Sequence, residues 1–160
     1  MARSKGADLA LLLLGGFHSM VDDVLPELAK RGHDGTRPVH EFALRSIDAG
    51  AGTASELGRR LGVSKQAAAK TIAVLEQLGY VDREVDPEDG RRKRLHVTPR
   101  GHEMVAIGSA LFDDVRNRWA EEIGPRRLEA LEAHLARLTE RRPAGPDDLA
   151  RLAQDPADVT

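Results

Sequence analysis

Apolar residues return every three to four positions along most of the chain. Between residues 7 and 31 they fall at Leu9, Leu13, Phe17, Met20, Val24 and Leu28, the stripe of a one-faced helix. Gly15 and Gly16 weaken that helix or allow close packing, and Lys30, Arg31 and Gly32 give it a C-terminal signature. After the loop GHDGTR, Pro38 opens a second helix that runs to about Asp48, and AGAG breaks it.

The next segments are shorter. TASELGRRL predicts a helix from Thr53 to Leu61, with Ser55 as N-cap and Gly62 as stop. Ser64 caps a further helix from Lys65 to about Leu78, closed by Gly79. Two helices joined by a tight turn form a helix-turn-helix. Tyr80–Val85 and Lys93–Thr98 are extended, with Val81 and Val85 alternating on one segment and Leu95 and Val97 on the other. DPEDGRR between them reads as a hairpin loop. Pro99 then starts a long helix carrying Val105, Leu111, Val115, Trp119 and Ile123. GPRR interrupts it, and Leu128, Leu131, Leu135 and Leu138 mark a narrow seam on a last helix. Residues 142–160, with three prolines and four aspartates, read as a flexible tail.

Composition narrows the class. Aromatic residues make up only 3% of the 160 residues, so the core is built from Leu, Val, Ile and Ala, which favours helices. There is no cysteine, which excludes disulfides, thiolate metal sites and thiol redox sensing. The N-terminal run LALLLLGGF is too short to span a bilayer. An acidic, patterned segment follows it without a small-residue cleavage site, so the reading is cytoplasmic with no membrane partner. The net charge of −2 is uninformative, but its distribution is not: residues 59–100 carry 10 basic and 6 acidic groups, a local +4. Local charge sets the field that a polyanion meets. No phosphate-cradling glycine loop, zinc-protease motif or nucleophile elbow is present, so no enzyme is expected.

The stretch ASELGRRLGVSKQAAAKTIAVLEQLGYVDREVDPEDGRRKRLHVTPRG, Ala54 to Gly101, resembles the winged helix-turn-helix of the MarR family of bacterial transcription regulators. Its wing, DPEDGRRKRLHVTPRG, is similar to the family's acidic–arginine signature followed by a strand that ends in Thr and a Gly. With the flanking helices the resemblance covers about 140 residues. It implies a mainly α fold with a small β-hairpin wing, a winged helix-turn-helix between terminal dimerisation helices. The expected units are residues 7–48 (dimerisation and ligand helices), 49–101 (DNA-binding lobe), 102–141 (C-terminal dimerisation helices) and 142–160 (tail). Double-stranded DNA and a second copy of the chain are the expected partners, and the expected role is a ligand-responsive repressor at a palindromic operator.

In the helix from Lys65, Ala68, Thr71 or Ile72, Leu75 and Leu78 would be the buried stripe. Ser64, Lys65, Gln66, Ala69, Lys70 and Ala73 would then face outward. Small residues let a helix enter a major groove about 12 Å wide, and alanine suits a thymine methyl. Gln66 is placed to pair with adenine, while Ser64, Lys65 and Lys70 suit phosphate. The same residues also make a good surface helix. In the wing, the resemblance implies that Arg91 enters the minor groove, where narrowness strengthens the negative potential. Asp89 would orient Arg91, and Arg92, Lys93 and Arg94 would hold phosphates. Arg59, Arg60 and Arg100 fit phosphate contact and solvated surface charge equally.

Relatives of this kind respond to small aromatic or anionic effectors. The positions that correspond to a cavity are Phe17, His18, Met20, Val21, His40, Phe42 and Trp119, all of which also suit ordinary core and edge packing. His18 and Asp22 lie one helical turn apart, with His40 and Glu41 as further donors, but such pairs are commonly plain surface residues. No metal and no cofactor are expected. A winged-helix module that binds protein instead of DNA is the alternative from another class.

Overall fold

The computed structural model describes residues 4–85, 90 and 93–140. These form α1 (Lys5–Lys30), α2 (Pro38–Asp48), α3 (Ala54–Leu61), α4 (Lys65–Gln77), β1 (Val81–Val85), β2 (Lys93–Val97), α5 (Pro99–Ile123) and α6 (Pro125–Thr139). The expected mainly helical architecture with one hairpin is the one observed. The expected tail, and Asp89, Arg91 and Arg92 of the wing, lie outside the described residues.

One core binds α2, α3, α4 and the hairpin to α5. Leu44, Ile47, Leu57, Leu61, Ala68, Ile72, Leu75, Tyr80, Leu95, Met104 and Val115 are all buried in it. Of the two candidates at one turn of α4, Ile72 is the buried one and Thr71 is only half-buried, its hydroxyl donating to the Ala67 carbonyl at 3.2 Å. A β-branched apolar side chain gains more from that position than one carrying a hydroxyl.

Capping decides where the helices begin. Thr53, not Ser55, is the N-cap of α3: its hydroxyl accepts from the Glu56 N–H at 3.2 Å. Thr98 caps α5 by accepting from the Gly101 N–H at 3.1 Å, and the same hydroxyl donates to the Gly79 carbonyl at 2.6 Å. Gly101 has no room for a side chain, because a Cβ there would overlap the Tyr80 carbonyl oxygen and Val97 Cγ1. The first turn of α5 can therefore press directly on the end of α4.

The hairpin pairs Val81 with Val97 and Val85 with Lys93. The Leu95 N–H also donates to the Gly52 carbonyl at 3.0 Å, which hooks β2 onto the loop between α2 and α3. Val81 and Leu95 are buried, but Val85 is 57% exposed, contrary to the alternation expected for it. The ladder extends past the edge of the helical core, and among the described residues its far end is left exposed.

The apolar run near the N-terminus lies in the helix expected over residues 7–31, observed as α1 with 26 residues. By length and composition α1 is sufficient to cross a membrane, with a mean hydropathy of 1.3 over its best window, which corrects the expectation from the run alone. Its second half is committed elsewhere. Val21, Val24 and Leu28 are buried, and Asp23 accepts from Arg118 of α5 at 2.8 Å. Its first half leaves Leu9, Leu11, Leu12 and Leu13 exposed. On α6 only Leu128 of the expected seam is buried; Leu131 and Leu138 are exposed. Arg116 and Glu132, bonded at 2.6 and 2.8 Å, tie α6 back to α5.

Candidate nucleic-acid interface

The turn between α3 and α4 fixes how α4 is presented. Gly62 ends α3 with φ +60°, a conformation that glycine takes without steric cost. The Val63 N–H donates to the Gly58 carbonyl at 3.0 Å, and a Cβ on Gly58 would press on the Val63 carbonyl. The Ser64 hydroxyl then accepts from the Ala67 N–H at 3.0 Å. Its own proton remains available to an outside acceptor such as a phosphate oxygen.

One face of α4, Ala68, Ile72 and Leu75, is buried. The opposite face exposes Lys65, Gln66, Ala69, Lys70 and Ala73. No acidic residue stands in the first turn, so nothing offsets the positive end of the helix dipole there. The exposed surface is thus cationic at its start and low in bulk along its length. Such a face can approach another large surface closely while offering amide and ammonium donors to it. Lys93 is exposed at the start of β2.

Other basic residues have different partners. Arg94 points back toward the lobe. It donates to the Gly50 carbonyl at 2.9 Å, stands 4.0 Å from Glu56, and fills the space beside Gly52 where a Cβ would overlap it. Arg60 donates to the Ser46 carbonyl at 3.1 Å. Arg100 donates to the carbonyls of Leu78 at 3.2 Å and Gly32 at 2.6 Å. These three arginines brace loops; Arg59 is exposed on α3. Their acceptors are main-chain carbonyls distant in sequence, which leave no pattern among neighbouring residues.

Of the residues expected to line an effector cavity, one borders a cleft among the described residues. The cleft found between α1, α2 and α5 has a volume of about 10 Å³, room for roughly one water. Among its lining residues are Val24, Thr36, Glu41, Met104 and Phe112, and of the expected set only Val21. His40 is buried and used locally: its Nδ1 accepts from the Arg37 N–H at 3.1 Å. Burial, with Arg37 adding to it, lowers its pKa to about 4, so the ring is a neutral acceptor. His18 is exposed, and Phe17, Phe42 and Trp119 are half-buried, with Trp119 against Gly16 of α1. Among the described residues no group of three His, Asp or Glu side chains is arranged to hold a metal.

The order of elements, the capped α3–α4 pair and the hairpin hooked beside it define a winged helix-turn-helix protein. The family signal falls on this lobe: residues 43–92 match the model of the MarR family. The fold extends beyond that segment. The YusO protein from Bacillus subtilis superposes with a TM-score of 0.64 at 21% identity, over 86% of this chain and 99% of that one. A MarR family transcriptional regulator from Rhodococcus sp. RHA1 gives 0.61 at 20% identity, over 89% and 100%. The S. aureus MepR–DNA complex gives 0.62 at 17% identity, over 84% and 98%. No curated protein matches the chain.

Proposed function

We propose that this chain is a dimeric, sequence-specific DNA-binding transcription regulator, a repressor released by a small aromatic or anionic effector. The observation that carries the reading is the exposed face of α4, where Lys65, Gln66 and Lys70 flank Ala69 and Ala73 beside a capped helix start free of acidic groups. In the proposed complex α4 enters the major groove. Gln66 reads an adenine edge, Ala69 and Ala73 permit close approach, and Ser64, Lys65 and Lys70 hold phosphates. The hairpin lies along the adjacent minor groove, with Arg91 inserted, Asp89 orienting it, and Arg92 and Lys93 on the backbone. Arg94 serves this site from inside, as a brace for β2.

The dimer is supported by the leucines that α1 and α6 leave exposed: Leu9, Leu11, Leu12, Leu13, Leu131 and Leu138. Large apolar side chains left exposed on the terminal helices suit an association site. Two α4 helices held about one DNA turn apart would read a palindrome. The effector would act in the cleft between α1, α2 and α5, which admits more than a water only if those helices part, and such parting would move one reading helix relative to its twin. Ligand control then follows from different affinity for the two arrangements.

The test is selection of bound duplexes from a random library at physiological salt, followed by titration of the selected duplex against salt. A palindrome with half-site centres about 10 bp apart and a steep negative salt slope is expected. Absence of any enriched sequence, with only weak salt-sensitive binding, would sink the reading.

A further inference from the structure

We propose that Arg100 is a positioning residue that fixes the angle of α4 against the frame of α1 and α5, and thereby sets the half-site spacing the dimer accepts. The proposal rests on the dimeric DNA-reading function above. Arg100 is an exposed cation just beyond the hairpin, where a phosphate contact would be the first reading. Its guanidinium is instead turned into the protein. Nε donates to the carbonyl of Leu78, which ends α4, and Nη2 to the carbonyl of Gly32, just past α1. The group also lies over the Tyr80 ring, 5.4 Å from its centroid. Helix C-termini carry partial negative charge, so one cation on α5 serves two of them at once.

Other bonds close on the same three residues, Leu78, Gly79 and Tyr80. The Tyr80 hydroxyl lies 3.0 Å from His33 Nδ1 and 3.3 Å from Thr36 Oγ1, both in the loop between α1 and α2. Thr36 in turn donates to the His33 carbonyl at 2.7 Å. From α5, Thr98 bonds Gly79, and the bare Cα of Gly101 abuts the Tyr80 carbonyl. Elsewhere α4 packs chiefly on α3, inside the same lobe. The knot at its C-terminal end therefore ties the reading helix by polar bonds to α5 and to the loop that follows α1. Moving a half-site by one base pair displaces it by about 3.4 Å along the duplex. A stiff link rejects that displacement, and a loosened one follows it.

The experiment compares wild type, Arg100→Ala and Tyr80→Phe on duplexes with the selected half-sites at the selected spacing and at one base pair more or less. In Arg100→Ala the preference for the selected spacing is expected to fall about fivefold or more. Tyr80→Phe, which keeps the ring under Arg100, should give a smaller fall. The salt slope should be unchanged in both variants. A slope shallower by about 1.8, one lost contact in each of two protomers, with the spacing preference intact makes Arg100 a phosphate ligand and overturns the proposal. Equal loss at every spacing makes it a plain stabilising residue and overturns it too.

A DNA-free readout separates this idea from the function it rests on. The chain has no cysteine, so Gln77→Cys on α4 and Asn117→Cys on α5, both exposed, accept spin labels at defined places. In labelled protein diluted with unlabelled, Arg100→Ala should broaden the α4–α5 distance distribution; an unaltered width refutes the knot. If the wild type selects no palindrome, the function reading fails while these distances still decide the knot.

Discussion

The reading lobe and the terminal helices differ in how far each is finished by its own chain. In the lobe, Leu57, Leu61, Ala68 and Leu75 are each fully buried. In the terminal helices, Leu11, Leu12 and Leu138 are 66%, 73% and 77% exposed. The lobe meets its apolar requirement within the chain, with α1 and α5 closing its core, whereas the outer faces of α1 and α6 are left uncovered among the described residues. In the proposed role the winged helix must keep its shape whether or not a partner is present, because its outer face would have to match a rigid duplex. The frame can be left incomplete, since completing it is what would bring two lobes to a defined separation.

The hardest test of that contrast is Leu12→Glu. It should convert the proposed dimer to monomer by sedimentation and cut affinity for the selected duplex about a hundredfold or more, with the far-ultraviolet spectrum little changed. Retained dimer with retained affinity would place the association surface elsewhere.

Acid should strike the seam between the regions, where His40 of α2 is buried. An unfolded histidine takes up its proton near pH 6.5, whereas folded His40 resists until about 4. Below the ordinary value the unfolded state thus binds more protons. Stability should fall as pH drops from about 6.5 to 4, by on the order of 3 kcal/mol, and stay level below that as far as this group is concerned. His33, lowered by burial and by Arg100, adds in the same sense. Urea midpoints against pH test this, with His40→Asn expected to flatten much of the window.

Gly101→Ala forces a methyl against a main-chain carbonyl and should cost about 1–3 kcal/mol in thermal or urea unfolding. A neutral result would mean that α5 can lift off α4 freely. Gln66→Ala is expected to relax preference at one base pair by about 1–2 kcal/mol, read from competition among single-base variants, with other positions unaffected. Arg94→Ala should have the smallest effect, under about 1 kcal/mol in affinity with the salt slope unchanged. A slope lowered by about 1.8, one contact per protomer, would return Arg94 to the phosphate contacts.

The lobe was the more legible region in sequence as well. Gly62, Ser64, Gly79 and Pro99 each mark a helix end by local chemistry, and the structure places the ends there. Ser55 misled because two hydroxyl residues stand close together; Glu56 three positions after Thr53 is the pairing that identifies the true cap. The arginines were the least legible. Arg94 and Arg100 carry the same charge as Lys93, and composition cannot distinguish a side chain that faces solvent from one that bonds a carbonyl 44 or 68 residues away. The exposed leucines were read as a seam, and spacing alone did not reveal that α6 buries only Leu128 of it.

Tyr80 is the chain's single tyrosine and Trp119 its single tryptophan. One stands at the end of α4 under Arg100, the other against Gly16 where α1 crosses α5. The molecule thus carries two native chromophores with separable spectra, one in each region. Tyrosine absorbance would follow the reading head and tryptophan emission the frame, so that the order in which the two respond to an effector is readable in an unlabelled, unmodified solution.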